Sequence, residues 1–486
     1  MQKIELILKR KQHSSVFIAY TCTGILLGVV LVQSTISANF FGMSWFVFAC
    51  LLLVLCFWKK ATALLLLAII AGTLIGIGRA YPEYQQVNQY KPLVGHKITI
   101  RGNINEDVTV GKRGDKQIKI TNVVIEDKEY SGTVWISTDS QLHLKRSYEV
   151  TASGVVGKGF GNFSASIFRA QIVTAKDAHV DKAREIRDWF SKNIQTTIAN
   201  PEASLGIGYL VGQKSSLPES LQEQLKIVGL THVVVASGYN LTILVRFTRR
   251  IFAKISKYLA ALSGGLMITG FMLVTGFSPS MSRAGLVAGF SLAAWYYGRK
   301  IHPLVLLPFA AAVTVLINPS FMWGDLGWYL SFAAFGGVML LAPLLQNYFF
   351  GPKKPGTLRQ ILGETISAQI ATLPIIAFSF GTFAIFALPA NLLVLPFVPL
   401  AMILVFVTGI VTIFSSTIGV IFGFPAYAVL RYMTYIVDWF SQIPNASINI
   451  SITVYGIIFF YAVLVMIAIY MQIKTQHNFR NDNIIE

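Results

Sequence analysis

Two interruptions in otherwise apolar stretches hold the side chains of this chain most able to do chemistry. The first is Gly229-Leu-Thr-His-Val-Val-Val-Ala-Ser-Gly-Tyr-Asn240, which sets His232, Ser237 and Asn240 in a hydrophobic run. The second is Gly276-Phe-Ser-Pro-Ser-Met-Ser-Arg283, which does the same for Ser278, Ser280, Ser282 and Arg283. A bilayer offers no water to an exposed amide or carbonyl, so a broken, polar spot in a spanning segment must face protein or a wet cavity. The chemistry on offer is anion contact. Pro279 suits a first helical turn and Ser278 can cap it. The helix start presents unpaired amides, and Arg283 adds a fixed charge with planar donors. An arginine inside a membrane costs at least a few kcal/mol by insertion scales and is normally functional or paired. Asp325 and Glu364 are the carboxylates that could pair with it or serve as a coupling site. Gln369 and Asn391 could line the same passage or pack between helices.

Other chemistries are poorly supported. Ser237 and His232 are the one tempting nucleophile–base pair, but five positions apart on a helix they would not face each other, so no enzyme is expected. No His-Glu-x-x-His or Cys-x-x-Cys pattern occurs, which predicts no metal and no cofactor. No Walker A loop is present, so the chain is not expected to power itself with ATP.

The elements that must position these residues are membrane helices. The composition is 54% hydrophobic and 13% charged, with a mean hydropathy of +0.60, where soluble domains carry roughly 25% charged residues. About twelve spans of roughly 20 residues are expected: 16–36, 42–58, 61–78, 230–247, 259–276, 282–297, 302–317, 327–345, 362–380, 386–411, 415–430 and 453–471. Lys and Arg concentrate before the first span and in alternate turns, for example Arg249/Arg250/Lys254/Lys257 and Arg299/Lys300. The pattern predicts cytoplasmic N- and C-termini and places the long polar segment 79–200 outside. Basic cytoplasmic loops also account for much of the net charge of +18.

The expected domains are three N-terminal helices at 1–78, an extracytoplasmic β domain at 79–180, interfacial helices at 181–228, a polytopic channel domain at 229–472 and a cytoplasmic tail at 473–486. Residues 95–175 alternate at period two in about five short runs bounded by turn residues, which predicts a small barrel of the OB type. Lys97, Arg101, Lys116, Lys119 and Arg169 could follow a phosphate backbone, and Trp135 could stack bases. Residues 181–199 predict an amphipathic helix on the membrane surface, with Ile186, Trp189, Phe190 and Ile194 on one face. Ser216-Leu-Pro-Glu then reads as the capped start of a second helix, whose Leu221, Leu225 and Val228 could pack over a pore mouth.

The chain resembles the ComEC family of competence DNA channels. Gly212-Gln-Lys-Ser-Ser-Leu-Pro-Glu-Ser-Leu221 with Gly229–Gly238 looks like the family signature. So do Thr275–Ala284, Asp325-Leu-Gly-Trp-Tyr-Leu-Ser-Phe-Ala333, Ala368-Gln-Ile-Ala-Thr-Leu-Pro374 and Ala390-Asn-Leu-Leu-Val-Leu-Pro396. One departure stands out: Ser237-Gly-Tyr-Asn240 occupies the place where the family usually reads Ser-Gly-Leu-His, so the position keeps hydrogen bonding but loses proton titration. Many family members carry a C-terminal metallo-β-lactamase-like domain, whose metal motif does not occur here. The resemblance implies a cell-membrane channel for uptake of single-stranded DNA in natural transformation. It also implies an extracytoplasmic DNA receptor, a separate cytoplasmic DNA-translocating ATPase and a separate nuclease, with membrane lipids around it. A secondary transporter of a small anion remains the alternative. The oligomeric state is not legible in the sequence.

Overall fold

A computed structural model describes residues 11–33, 43–111, 114–178, 181–213, 216–231, 238–276, 279–299, 302–351, 355–450 and 452–477. His232, Ser237 and Ser278 lie outside the described residues. The chain divides into two compact units, one of 1–180 with 301–328 and one of 181–300 with 329–486.

In the first unit, helices α1 (Ser14–Gln33), α2 (Met43–Lys59) and α3 (Leu65–Asn88) precede the sheet. The contact between α1 and α3 is set by four glycines spaced four apart, Gly24 and Gly28 on one helix and Gly72 and Gly76 on the other. A Cβ built on any of them collides with the facing backbone, Gly24 with Ile69 and Gly72 with Thr21. Small residues let membrane helices approach closely where no water is available to drive them together.

The β domain follows: β1 (Lys97–Ile104), β2 (Thr109–Val110), β3 (Lys116–Ile125), β4 (Lys128–Tyr130), β5 (Val134–Thr138), β6 (Tyr148–Lys158), β7 (Ala165–Ile167) and β8 (Gln171–Asp177). The expected five runs become β1, β3, β5, β6 and β7. They close as β1-β3-β5-β7-β6 and back to β1, with β5 and β7 parallel. Closure removes the sheet edges. Alternation places Ile118 and Ile120 of β3 in the barrel core. It then slips at Asn122, whose φ is 51°, and resumes with Val123 and Ile125 inside. Strand β8, beyond the expected five, pairs along β6.

The second unit opens with α4 (Lys182–Thr197), whose N-cap Asp181 accepts from the Arg184 amide. The expected apolar stripe is split. Ile194 is buried and Phe190 lies over Gly409, where a Cβ would strike its ring, whereas Ile186 and Trp189 are exposed. Seating Phe190 in that glycine socket rolls the stems of Arg184 and Arg187 inward, and arginine methylenes can be buried in this way. Helix α5 (Glu202–Val211) is buried along its whole length. Helix α6 (Glu219–Val228) starts at Pro218, not at a Ser216 cap. The Ser216 hydroxyl donates instead to the Gln213 carbonyl. Pro218 stands at the N-cap and gives the first turn no side-chain acceptor. Leu221, Leu225 and Val228 join the core with Ala390, Val394 and Val437.

Next come α7 (Gly238–Phe252), α8 (Lys257–Thr275) and α9 (Pro279–Tyr296). Helix α10 (Pro303–Ile317) belongs to the first unit. Helix α11 (Leu326–Gly336) runs through a π turn, where Gly337 meets Ser367, into α12 (Ala342–Phe350). The chain continues through α13 (Thr357–Phe380), α14 (Ala387–Val394), α15 (Val398–Phe414), α16 (Ser416–Ser441) and α17 (Val454–Thr475). A short ladder, β9 (Thr382–Ala384) with β10 (Ser447–Asn449), ties two of the connections.

Among the described residues, eight helical stretches are long and apolar enough to cross a membrane, and Trp45–Lys59 and Pro303–Ile317 are shorter apolar helices. The remaining two expected spans, 230–247 and 282–297, coincide with α7 and α9. These fall short of that measure over their described residues. The chain is a multi-pass membrane protein with a barrel-like domain near its N-terminus.

Candidate anion-pathway site

The helices that follow the two interruptions meet. Helix α7 begins at Gly238 and α9 at Pro279, and a Cβ on Gly238 would lie 3.1 Å from Cβ of Ala284. Leu241 and Met281, in the first turn of each helix, are buried in a shared cluster with Ile268 and Phe271 of α8. The first turn of α7 therefore packs beside the second turn of α9. The start of a helix carries the positive end of its dipole.

Arg283 lies one turn into α9 and is 5% exposed. Its guanidinium carbon sits 5.3 Å over the Phe332 ring of α11. Its Nη2 donates to the Ser280 carbonyl at 3.3 Å and reaches the Ser280 hydroxyl at 3.5 Å. Ser282 is half-buried beside it. Asn240 is fully buried, and its amide nitrogen donates to the Tyr209 carbonyl at 3.0 Å. It thus ties the start of α7 to the end of α5.

The other sequence candidates have contacts of their own. Glu364 accepts from Gln360 one turn earlier on α13. Gln369 is half-buried on the same helix, and its carbonyl accepts from the Thr372 hydroxyl. Asn391 of α14 is 1% exposed, and its side-chain oxygen has no hydrogen-bond partner among the described residues. Asp325 stands in the first unit as the N-cap of α11. Its Oδ1 accepts from the Trp328 amide at 2.6 Å, and its Oδ2 accepts from the side chain of Asn162 in the barrel at 2.7 Å. Gly161 and Gly324 touch beside that bond.

On the barrel, Lys119 and Trp135 face each other across β3 and β5. Trp135 packs on Phe160 at 5.4 Å and on Phe168 at 5.1 Å, and Lys119 lies 5.7 Å over Phe163. Phe160 and Phe168 are largely exposed, so four rings and a lysine make an accessible aromatic platform. Lys119 also pairs with Glu106 at 2.7 Å. Lys97 and Arg101 project from β1, where Arg101 pairs with Glu149. Lys116 donates to the carbonyls of Ser140 and Leu142. Arg169, exposed, follows Phe168.

Two features have no motif in the sequence. Phe168 completes the platform, and its signal was an exposed aromatic between a strand end and Arg169. The second is electrostatic: residues 224–324 contain nine Lys and Arg and no Asp or Glu. Arg283 lies inside this stretch, so any carboxylate that balances it comes from elsewhere in the chain.

Comparison with known proteins places this geometry in context. Residues 209–475 match the family described as Competence protein. The chain is similar to ComE operon protein 3 of Bacillus subtilis (strain 168), 26% identical over 227 residues. That match covers 46% of this chain and 28% of the relative. No solved structure matches the chain.

Proposed function

This chain belongs to the Competence protein family, and from that premise we propose that it is a membrane channel that passes single-stranded DNA to the cytoplasm during natural transformation. The observation that carries the reading is the packing of the start of α7 beside α9, which holds the buried Arg283, within a stretch free of acidic residues. A strand crossing a low-dielectric slab brings a phosphate every few ångströms, and amide dipoles with a fixed guanidinium can replace the water it gives up. Contact with backbone rather than base edges suits a passage for any sequence.

In this reading Arg283, Ser280 and Ser282 touch the strand, with His232, Ser237 and Ser278 contributing on sequence grounds. Asn240 holds the wall in place through Tyr209. Gln369 and Asn391 line a further part of the passage. The unpartnered oxygen of Asn391 supports that role, because buried polar groups normally find a partner. Asp325 is structural. About twelve spans, cytoplasmic termini, an extracytoplasmic barrel and the domain limits given above complete the layout. The exposed Ile186 and Trp189 of α4 suit the membrane surface. The aromatic platform of the barrel receives the incoming strand. Passage is passive, so a separate ATPase pulls and a separate receptor delivers.

The test compares a deletion strain with its complemented strain for uptake of fluorescent double-stranded DNA into the DNase-resistant pool. DNA held outside the deletion strain but internalised after complementation supports the channel. Equal internalisation in both, with a second copy excluded, refutes it. Proton- or sodium-dependent flux of a small anion in proteoliposomes, independent of DNA, would then favour the transporter.

A further inference from the structure

Helices α7, α8 and α9 form a three-helix group around Leu241, Ile268, Phe271, Met281 and Leu292. At the end where α7 stops, α8 starts and α9 stops, cations meet rings. Arg249 lies 5.0 Å over Trp295, and Lys257 lies 5.9 Å over Trp295 and 5.8 Å over Tyr296. Arg246, Arg250 and Arg299 are exposed at the same end. A ring face attracts a cation without accepting strong hydrogen bonds. Among the described residues Lys257 makes only these ring contacts, so its three N–H donors remain available to an anion.

A groove of about 370 Å³ opens between α8 and α9 beside this cluster, lined by Ala261, Gly265, Thr269, Gly289, Ala293 and Tyr296. Its glycines hold space open. A Cβ added at Gly265 or Gly289 meets no atom within 4 Å, whereas one at Gly264, on the packed side, runs into Leu292. Leu262 and Leu266 are exposed along the same helix, so the groove lies on a face that hydrocarbon solvates best. Tyr296 belongs to both features, lining the groove and lying under Lys257.

A ligand that satisfies both needs an anionic head and a hydrocarbon tail. We propose that this is a binding site for one anionic phospholipid, its phosphate between Lys257 and Arg249 and an acyl chain in the α8–α9 groove. Basic pockets between membrane helices recognise such headgroups. A nucleic-acid strand could use the cations and rings, but it would leave the apolar groove unfilled. The inference does not rest on the channel reading.

Native mass spectrometry of the full chain, purified in detergent with equal phosphatidylglycerol and phosphatidylcholine, tests it. The parent should retain phosphatidylglycerol preferentially. The preference should fall by about thirtyfold in Lys257→Gln/Arg249→Gln, the joint worth of two cations at an anionic lipid surface. Lys257→Gln alone changes an exposed side chain and controls for folding. Gly289→Leu fills open space and should lower retention of both lipids. Equal retention of the two lipids by the parent, or an intact preference in the double variant, overturns the proposal. So does full phosphatidylglycerol retention by Gly289→Leu. In phosphatidylcholine nanodiscs, loss of oligothymidylate binding by the double variant, with lipid preference intact, would assign the cluster to nucleic acid instead.

Discussion

Replacing Arg283 by methionine separates a structural arginine from one that conducts anions. An arginine at this depth costs roughly 3 kcal/mol on insertion scales. The Phe332 ring at 5.3 Å returns up to about 2 kcal/mol when desolvated. The bond to the Ser280 carbonyl, long at 3.3 Å, adds about 1 kcal/mol. Arg283→Met, similar in length and apolar, gives up these contacts together with the insertion cost, so the folded protein should lose no more than about 3 kcal/mol. A passing phosphate feels the change more strongly, since unit charges 4 Å apart attract by about 4 kcal/mol near a protein surface. Losing half of that at the barrier slows passage about thirtyfold. The assay is DNase-resistant uptake per membrane-inserted molecule, with abundance measured on the same cells. Arg283→Lys, which keeps the charge without the planar fork, should fall between the two. A methionine variant at parental abundance with parental uptake refutes the pathway role. A variant that vanishes from the membrane while each surviving molecule works normally refutes the energy balance.

Gly72→Leu should cost about 3 kcal/mol or more, because its Cβ would meet the Thr21 carbonyl. Gly78→Leu, with no atom within 4 Å of its Cβ, should be neutral, and fluorescence-detected size exclusion after heating reads both. Asp325→Ala should lose a helix cap worth about 1 kcal/mol together with the Asn162 bond. Asn162→Ala should then add little in the same background, as a double-mutant cycle of melting temperatures would show. Tyr90→Phe removes a buried hydroxyl with no partner among the described residues, so hydrogen exchange of the barrel should be unchanged or slower. Trp135→Ala should weaken binding of an oligothymidylate by about tenfold or more, read by anisotropy, given the roughly 1–3 kcal/mol of a stacked base.

Period-two alternation announced the five barrel strands, because each strand has one face in a core that only apolar side chains fill. Apolar length announced most of the long helices, because a segment in hydrocarbon is apolar around its whole circumference. Arg283 was legible as an oddity of depth. What faces what was not legible. Asn162 and Asp325 are 163 residues apart, and no local pattern announces a bond over that distance. The apolar stripe of α4 is shared between two surroundings, which its periodicity does not announce: Gly409 admits Phe190 and Ile194 is buried, while Ile186 and Trp189 stay exposed. The glycines that let α1 and α3 approach have no local signature that names the helix they press against. The aromatic platform joins rings from β5 and from the segments around β7, and only barrel closure brings these together.

The barrel is held to its neighbours in the first unit by small, stiff contacts. Gly161 rests on Gly324 and Asn162 on Asp325; away from the barrel, Arg79 of α3 donates to the carbonyls at the end of α10. Trp323, close by in sequence, donates to the Val29 carbonyl of α1. None of these contacts has a long side chain to bend at the barrel. For imaging, this makes the barrel a rigid handle: an antibody fragment raised against it should report the orientation of the first three helices without blur and supply the mass outside the micelle that particle alignment needs.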